Sequence, residues 1–120
     1  MEKDNEMIKI QTNINDEQIK KIAKRLLEEI GMQTHILGFK YWLEVLSLVM
    51  NDKQEKIVMK SLYCSVAKKY KTTATNIERA MRYTHKKINL NQVFNTEYPI
   101  NNKALLFLLI DRISKEMDNT

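Results

Sequence analysis

The sequence predicts an all-α fold, a compact bundle of about six helices that contains a helix-turn-helix. One Pro and two Gly in 120 residues are too few for an all-β protein, which needs turn residues between many strands. Leu, Ile, Lys, Glu and Met are abundant and favour helices. Apolar residues also recur at helical spacing along most of the chain. A chain of this length forms one domain.

The first residues show no convincing period. We interpret residues 1–14 as an N-terminal arm, either disordered or with a short strand at 7–10, and residues 15–120 as the helix-turn-helix domain. Asn15 has the character of an N-cap, with acidic residues after it at the positive end of the helix dipole. The first helix is then expected to end just before Gly31.

The next two segments differ in pattern. The second predicted helix, 39–50, is apolar most of the way round, which is typical of a central core helix. The third is a helical piece, 54–61, with Ile57 and Val58 facing inward. It either continues into the following helix or is separated from it by a kink.

The stretch 62–87 has the pattern of two short helices with a turn between them. A helix-turn-helix needs a small residue where the helices cross, a tight turn, and apolar anchors on its second helix. Ala67 supplies the small residue, and the turn is predicted at 71–73, where Thr72 or Thr73 caps a recognition helix, 73–88. The anchors are Ile77, Ala80 and Met81.

The C-terminal part of the chain predicts two more helices. A short one covers 89–95, and a break follows before Pro99. Asn101 is expected to cap a final helix, 102–117. Because the apolar residues of this helix cover more than one face, it should be buried on two sides or partly covered by another subunit.

Charge is concentrated in one region. The segment from Lys60 to Lys87 contains eight basic residues and one acidic residue, so its net charge is +7. The whole chain has a net charge of +5, so the remaining residues together carry −2. A concentrated basic region is the electrostatic footprint of a surface that binds phosphate groups. It can equally be a plain solvated face.

The polar face of the recognition helix carries residue types that read DNA. The candidates for contacts with base edges are Asn76, Glu78, Arg79 and Arg82. The candidates for phosphate contacts are Lys68, Lys71, Tyr83 and Lys86. Together with the turn, these residues predict a module that binds double-stranded DNA.

Other classes of function find little support. The lone Cys64, expected to be buried, allows no internal disulfide and suits a reducing compartment. No signal peptide is evident, and the longest apolar run, 104–110, is far too short to span a bilayer, so we expect a cytoplasmic protein without membrane contact. His35, expected to form structural hydrogen bonds, and His85, expected to be exposed, do not complete a metal site with the cysteine. We expect no cofactor and no enzymatic activity.

An ordered set of short motifs resembles a known family. The residues that carry it are Glu29-Ile30-Gly31, His35-Ile36, Gly38, Tyr41, Leu62-Tyr63, Val66-Ala67-Lys68-Lys69-Tyr70, Thr72-Thr73-Ala74 and Ile77-Glu78-Arg79-Ala80-Met81-Arg82. In this set the chain resembles the C-terminal DNA-binding effector domain of the sporulation master regulator, the stage-zero A response regulator of spore-forming Firmicutes. The resemblance covers about 19–115, most of the chain.

The resemblance implies an all-helical domain that binds promoter DNA. In the family, arginines and a glutamate of the recognition helix touch bases in a short TGTCGAA-like box, and Glu78, Arg79 and Arg82 match them here. Arg can donate two hydrogen bonds to guanine, and Glu can accept one from cytosine. Thr73 and Thr75, near the N-terminus of the same helix, are placed to bind phosphate.

Three departures from the family pattern qualify this expectation. Asn76 stands where the family has a base-reading arginine, and Asn prefers adenine. Tyr83 replaces a histidine. The segment after the recognition helix is shorter and lacks a tryptophan-containing stretch that serves contacts with the RNA polymerase sigma factor. Residues 1–14 cannot form a receiver domain, so control by phosphorylation of the usual kind is not expected.

Three functions therefore stay open. The first is a sequence-specific transcription regulator, which we expect to bind double-stranded DNA as a homodimer because one helix in one groove reads few base pairs. The second is a protein-interaction module that binds the full-length regulator or RNA polymerase, its sigma factor included. The third is an accessory DNA-binding protein of a plasmid or phage.

Overall fold

The computed structural model describes residues 2–52, 56–90, 94–95 and 99–118, and this part of the chain forms five α-helices and no strand. The helices are α1 (Glu2–Glu29), α2 (Leu37–Asp52), α3 (Met59–Tyr70), α4 (Ala74–Lys86) and α5 (Asn102–Asp118). The predicted all-α fold is confirmed; the described residues form five helices, and about six were expected for the whole chain. The short helix predicted at 89–95 and the break at 97–99 lie largely outside the described residues.

The first helix is longer than the sequence suggested. It begins at Glu2, so the strand considered at 7–10 is wrong, and the helix does not start at Asn15. The physical reason is that no Gly or Pro interrupts the chain before Glu29. The division into an arm, 1–14, and a domain stays a prediction.

Near the expected start of the first helix, a carboxylate ties α1 to α2. Asp16 accepts hydrogen bonds from Ser47 Oγ at 2.7 Å and from Asn51 Nδ2 at 2.8 Å. The Ser47 hydroxyl, with Asn51 and the nearby Lys20, holds the pKa of Asp16 below its usual value, although partial burial acts in the opposite direction. Asp16, which the sequence analysis placed in the first turn of a helix, therefore links α1 to α2 through hydrogen bonds.

The end of α1 was predicted correctly at Gly31. This glycine has a φ of +92°, a conformation that L side chains rarely adopt. Its N–H donates to Glu28 O at 3.0 Å, and the N–H of Met32 donates to Leu27 O at 2.9 Å. This pair of bonds is the Schellman motif, which satisfies carbonyls that the helix end would leave unpaired.

The second helix lies at the centre of the bundle and packs against each of the other four helices. Trp42, Val45 and Leu46 are fully buried, which confirms the prediction of a central core helix. The start of α2 lies so close to α4 that a Cβ on Gly38 would meet the side chain of Thr84 and would approach Ala80 O to 2.5 Å. The helix that carries the candidate DNA-reading residues is thus in direct contact with the central helix.

The third predicted helical piece, 54–61, is wrong at 56–58, which are not helical, whereas 59–61 form the first turn of α3 and so continue into the following helix. Residues 54 and 55 lie outside the described residues. α3 begins at Met59, and Val58 before it is extended, with φ −111° and ψ 106°, and 45% exposed. Ile57 is also outside the helix. The reason is that two adjacent apolar residues do not define a helix face, because a helix presents residues three or four apart to the same side.

The last helix begins as predicted. The N–H of Ala104 donates to Asn101 Oδ1 at 2.9 Å, so Asn101 is the N-cap. α5 packs against α1, α2 and α4. Its buried residues are Asn102, Leu105, Leu106, Leu109 and Ile113. Phe107 points away from this side and is 49% exposed, so the apolar residues do extend beyond the buried face.

Candidate nucleic-acid interface

The turn between α3 and α4 is built from local hydrogen bonds. Lys71 ends α3 in the left-handed conformation, with φ 53° and ψ 48°. The N–H of Thr72 donates to Ala67 O at 3.0 Å, which closes the end of α3. Thr73 then caps α4, because its Oγ1 accepts from the N–H of Asn76 at 3.1 Å. The predicted turn and the predicted cap are both present in the structure.

The inner face of α4 holds this helix against the core. Ile77 and Met81 are fully buried and Ala80 is half-buried, as the spacing of these residues predicted. The indole Nε1 of Trp42 donates to the carbonyl oxygen of Met81 at 3.1 Å. The Thr84 hydroxyl donates to Ala80 O at 2.7 Å and lies in the contact with α2. Hydrogen bonds and packing therefore fix how α4 is rotated about its own axis.

The opposite face of α4 is open. Asn76, Arg79 and Arg82 are exposed, and Glu78 is half-buried. Arg82 Nη1 lies 3.6 Å from Glu78 Oε1, an ion pair between residues four apart on one face of the helix. The four candidates for base contacts thus lie on the same helix, outside the protein core.

The side-chain amide of Asn76 already makes one hydrogen bond within the protein. Its Nδ2 donates to Thr72 Oγ1 at 3.0 Å. An amide nitrogen carries two hydrogens, so one donor and the Oδ1 acceptor remain, which is the pair that adenine N7 and N6 require. The bond to Thr72 also limits the directions in which this amide can point.

The candidates for phosphate contacts border the same surface. Lys68, Lys71, Thr73, Thr75, Tyr83 and Lys86 are all exposed. The ring of Tyr83 is 58% exposed and lies 4.4 Å from the Lys87 ammonium, a cation–π contact. Lys69, by contrast, binds Glu44 of α2 at 2.8 Å, and this bond raises the pKa of Lys69. The Lys69 side chain is therefore directed towards α2 of the same chain.

A buried polar network supports the C-terminal half of α4, and the sequence reasoning missed it. His85, expected to be exposed, is only 5% exposed. Its Nδ1 lies 2.6 Å from Asn102 Oδ1, and its Nε2 lies 2.8 Å from Ile100 O. Asn102 Nδ2 in turn donates to the Tyr63 hydroxyl at 3.1 Å. The signal was available, because His85 follows Met81 by four residues and so lies on the buried stripe.

The expectation for the single cysteine is also wrong, since Cys64 is exposed. The inward side of α3 is taken by Leu62, Tyr63, Val66 and Ala67. The cysteine lies off that stripe, and helical geometry turns it to solvent.

Within the described ranges, no three His, Cys, Asp or Glu side chains are grouped as a metal ion would require. Among the helices described above, none has both the length and the apolar character needed to cross a bilayer. A helical bundle that presents a capped helix with an exposed, arginine-bearing face has the architecture of a DNA-binding effector domain.

Comparison with known proteins specifies the family. The model of the family described as "Sporulation initiation factor Spo0A C terminal" matches residues 22–98, more than half of the chain. The chain therefore belongs to this family of DNA-binding regulatory domains, which is not a family of enzymes, and the resemblance inferred from the short motifs is confirmed. The match covers part of α1, all of α2, α3 and α4, and ends before α5. No solved structure matches the chain at the significance required for a comparison.

Proposed function

We propose that this chain is a sequence-specific transcription regulator that binds double-stranded DNA and reads a short promoter box with α4. The observation that carries the proposal is the division of α4 into two faces. Ile77 and Met81 are fully buried, whereas Arg79 and Arg82 are exposed. A helix held in this way can enter a major groove without losing its contacts to the core.

The chemistry of the exposed face suits base recognition. Arg79 and Arg82 can each donate two hydrogen bonds to guanine O6 and N7, and Glu78 can accept from cytosine N4. The ion pair between Glu78 and Arg82 would orient both groups before DNA arrives. Asn76 retains a donor and an acceptor, so an adenine is expected where the family reads with arginine.

The surroundings of α4 suit phosphate binding. Thr73 and Thr75 lie at the N-terminal end of the helix, where the dipole and backbone N–H groups attract anions. Lys68, Lys71 and Lys86 add positive charge at the border, and Tyr83 offers a hydroxyl. These contacts position the protein on the duplex and carry no sequence information. On DNA we expect a homodimer, because two half-sites give the base pairs that one helix lacks. Such a protein would work at the nucleoid, in the cytoplasm.

The test begins with selection of bound duplexes from a random pool, followed by affinity measurements on the selected and a scrambled duplex. Arg79→Ala should lose about 1–3 kcal/mol of discrimination between the two duplexes. Lys71→Ala should weaken both equally and lower the slope of log K against log salt by about one unit. Lys115→Ala, an exposed lysine of α5 that pairs with Asp111, is the matched control and should change neither. Equal loss on both duplexes for Arg79→Ala contradicts base reading by this residue.

A second candidate function is a protein-interaction module. It is favoured by Phe107, which is 49% exposed on α5, outside the segment matched by the family. The partner would be the full-length regulator or RNA polymerase through its sigma factor. Absence of DNA binding at low salt, together with a stable complex with one of these partners that Phe107→Ser abolishes, favours this function.

An accessory role on a plasmid or phage keeps the DNA-binding mechanism and differs in where the binding site occurs.

A further inference from the structure

A cavity of about 790 Å³ lies beside the candidate DNA-reading face. It is lined by the C-terminal half of α4, the start of α3, and the segments 88–90 and 99–103. Cavities that bind small organic molecules have volumes of roughly 300–1,000 Å³. The size of this cavity is therefore suited to such a ligand.

The inside of the cavity is largely apolar. The apolar residues that line it are Met59, Tyr63, Ile88, Leu90, Pro99 and Ile100. Ile88 and Leu90 are each 9% exposed, so they already belong to the packed interior. A hydrophobic body of aromatic or aliphatic character is the type of group that gains free energy on entering such a space.

One wall of the cavity is rigid and polar. His85 and Asn102 line it and are held by the bonds to each other, to Ile100 O and to Tyr63 described above. The Tyr63 hydroxyl accepts from Asn102 and so retains its own hydrogen to donate. Burial raises the pKa of Tyr63, which keeps this hydrogen in place. The wall thus offers a hydroxyl donor beside the apolar lining.

Positive charge surrounds the cavity. Among the described residues that line it, Arg82, Lys86 and Lys103 are cationic and Glu78 is acidic. Glu78 lies 3.6 Å from Arg82, so part of its charge is compensated. In this described part of the lining, three cations and one paired carboxylate favour the approach of a negatively charged group.

We propose that this cavity binds an amphipathic organic anion, a molecule with an apolar aromatic or aliphatic body and a carboxylate, sulfonate or phosphate group. The body lies against the apolar lining, and the anionic group lies near Lys86 and Lys103. Arg82 and Glu78 belong both to this cavity and to the candidate base-reading residues. Occupancy of the cavity therefore competes with DNA, a second part of the inference that rests on the proposed function.

The first experiment tests the cavity alone, with the whole chain and two probes of similar shape. 8-Anilinonaphthalene-1-sulfonate carries a sulfonate, and N-phenyl-1-naphthylamine is its neutral counterpart; both fluoresce in apolar surroundings. The sulfonate probe should bind one site per chain and about tenfold more tightly than the neutral one. Amide chemical-shift changes in NMR should centre on Ile88, Leu90 and Ile100. Equal affinity for the two probes, or shifts centred elsewhere, overturns the inference.

Charge variants locate the anionic group. Lys103→Glu should weaken the sulfonate probe about tenfold and leave the neutral probe unchanged, with circular dichroism used to verify the fold. Lys115→Glu makes the same change of charge on α5 outside the lining and should alter neither affinity. If Lys103→Glu does not fold, Lys86→Gln replaces it, with an expected loss of about threefold. If the Lys103→Glu variant, or Lys86→Gln in its place, binds the sulfonate probe with the same affinity as the Lys115→Glu control, the inference is overturned.

The second experiment tests the competition. A duplex that the protein selects should release the sulfonate probe, and Arg82→Ala should reduce this release. Retention of the probe on the DNA-bound protein overturns the competition and leaves the cavity site standing. Binding of the probe without binding of any duplex supports the cavity site and contradicts the proposed function, so the two failures are distinguishable.

Discussion

Gly38 offers a direct test of how α4 is held. In most helices, replacing Gly by Ala stabilises the protein by about 0.5–1 kcal/mol because the unfolded chain loses freedom. Here the added Cβ would overlap the Thr84 side chain and would lie 2.5 Å from Ala80 O, a backbone atom that cannot move without the helix. The clash also opposes the hydrogen bond from Thr84 Oγ1 to Ala80 O. Gly38→Ala should therefore destabilise the protein, against the usual sign.

The magnitude follows from the two effects. Overpacking a well-packed contact costs about 1–3 kcal/mol, and loss of a hydrogen bond costs about 1 kcal/mol. After the helix-propensity gain, we expect a net loss of about 2 kcal/mol, or a fall in Tm of about 8 °C for a domain of this size. Gly31→Ala is the matched control, since its added Cβ meets nothing within 4 Å and its cost arises from a φ of +92° alone.

Urea unfolding followed by Trp42 fluorescence measures the effect. Trp42 is the single tryptophan of the chain, and its indole contacts the α4 backbone. Thr84→Ala removes the nearest clashing side-chain atoms, so it should recover part of the stability lost in Gly38→Ala and none of that lost in Gly31→Ala. Unchanged or higher stability of Gly38→Ala, or strict additivity with Thr84→Ala, would refute the reasoning.

Three further predictions concern local contacts. In urea unfolding, Lys71→Gly should be about 1 kcal/mol more stable than Lys71→Ala, because Gly adopts the left-handed backbone conformation of this position without steric cost. Both variants should lose the same amount of DNA affinity. A difference between their affinities would contradict a purely electrostatic role for Lys71. Thr73→Ala should cost about 1 kcal/mol through loss of the N-cap, measured in the same way, and Thr73→Ser should restore most of it. The Asp16 pKa is lowered in the folded state, chiefly by Ser47, so its contribution is fully present above the unfolded pKa of about 3.9 and is lost as the pH falls through the lower, folded pKa. Ser47→Ala should thus destabilise the protein more at pH 7 than at a pH below that folded pKa; an equal loss at both pH values would show that packing, and not charge, is responsible.

The features predicted from the sequence are those determined by neighbouring residues. Gly31 and Asn101 lie at helix ends, where a backbone conformation or a side-chain oxygen acts on atoms a few positions away. The spacing of Ile77 and Met81 likewise indicated the buried face, because helical geometry is independent of the rest of the chain. Local physics therefore sufficed for the turn, the cap and the orientation of the candidate reading face.

The features that were missed depend on distant segments. The role of Gly38 is defined by Thr84, and the side-chain partner of His85 is Asn102; neither partner can be identified from local spacing, although the spacing from Met81 indicated that His85 is buried. The cavity similarly requires α3, α4 and the segment 99–103 to converge. The prediction of a helix at Val58 was wrong for a different reason, because an adjacent pair of apolar residues fits a helix and an extended segment equally well.

The bond from the Trp42 indole to the Met81 carbonyl has a consequence for how specificity can change. Together with the fit of Gly38 against Thr84, it anchors α4 through atoms on its buried side. The front of the helix is then free to vary, since surface substitutions away from such anchors usually change stability by no more than about 0.5 kcal/mol. Libraries randomised at Arg79 and Arg82 should accordingly yield many well-folded proteins, and under the proposed function these proteins should differ in the DNA sequences that they prefer.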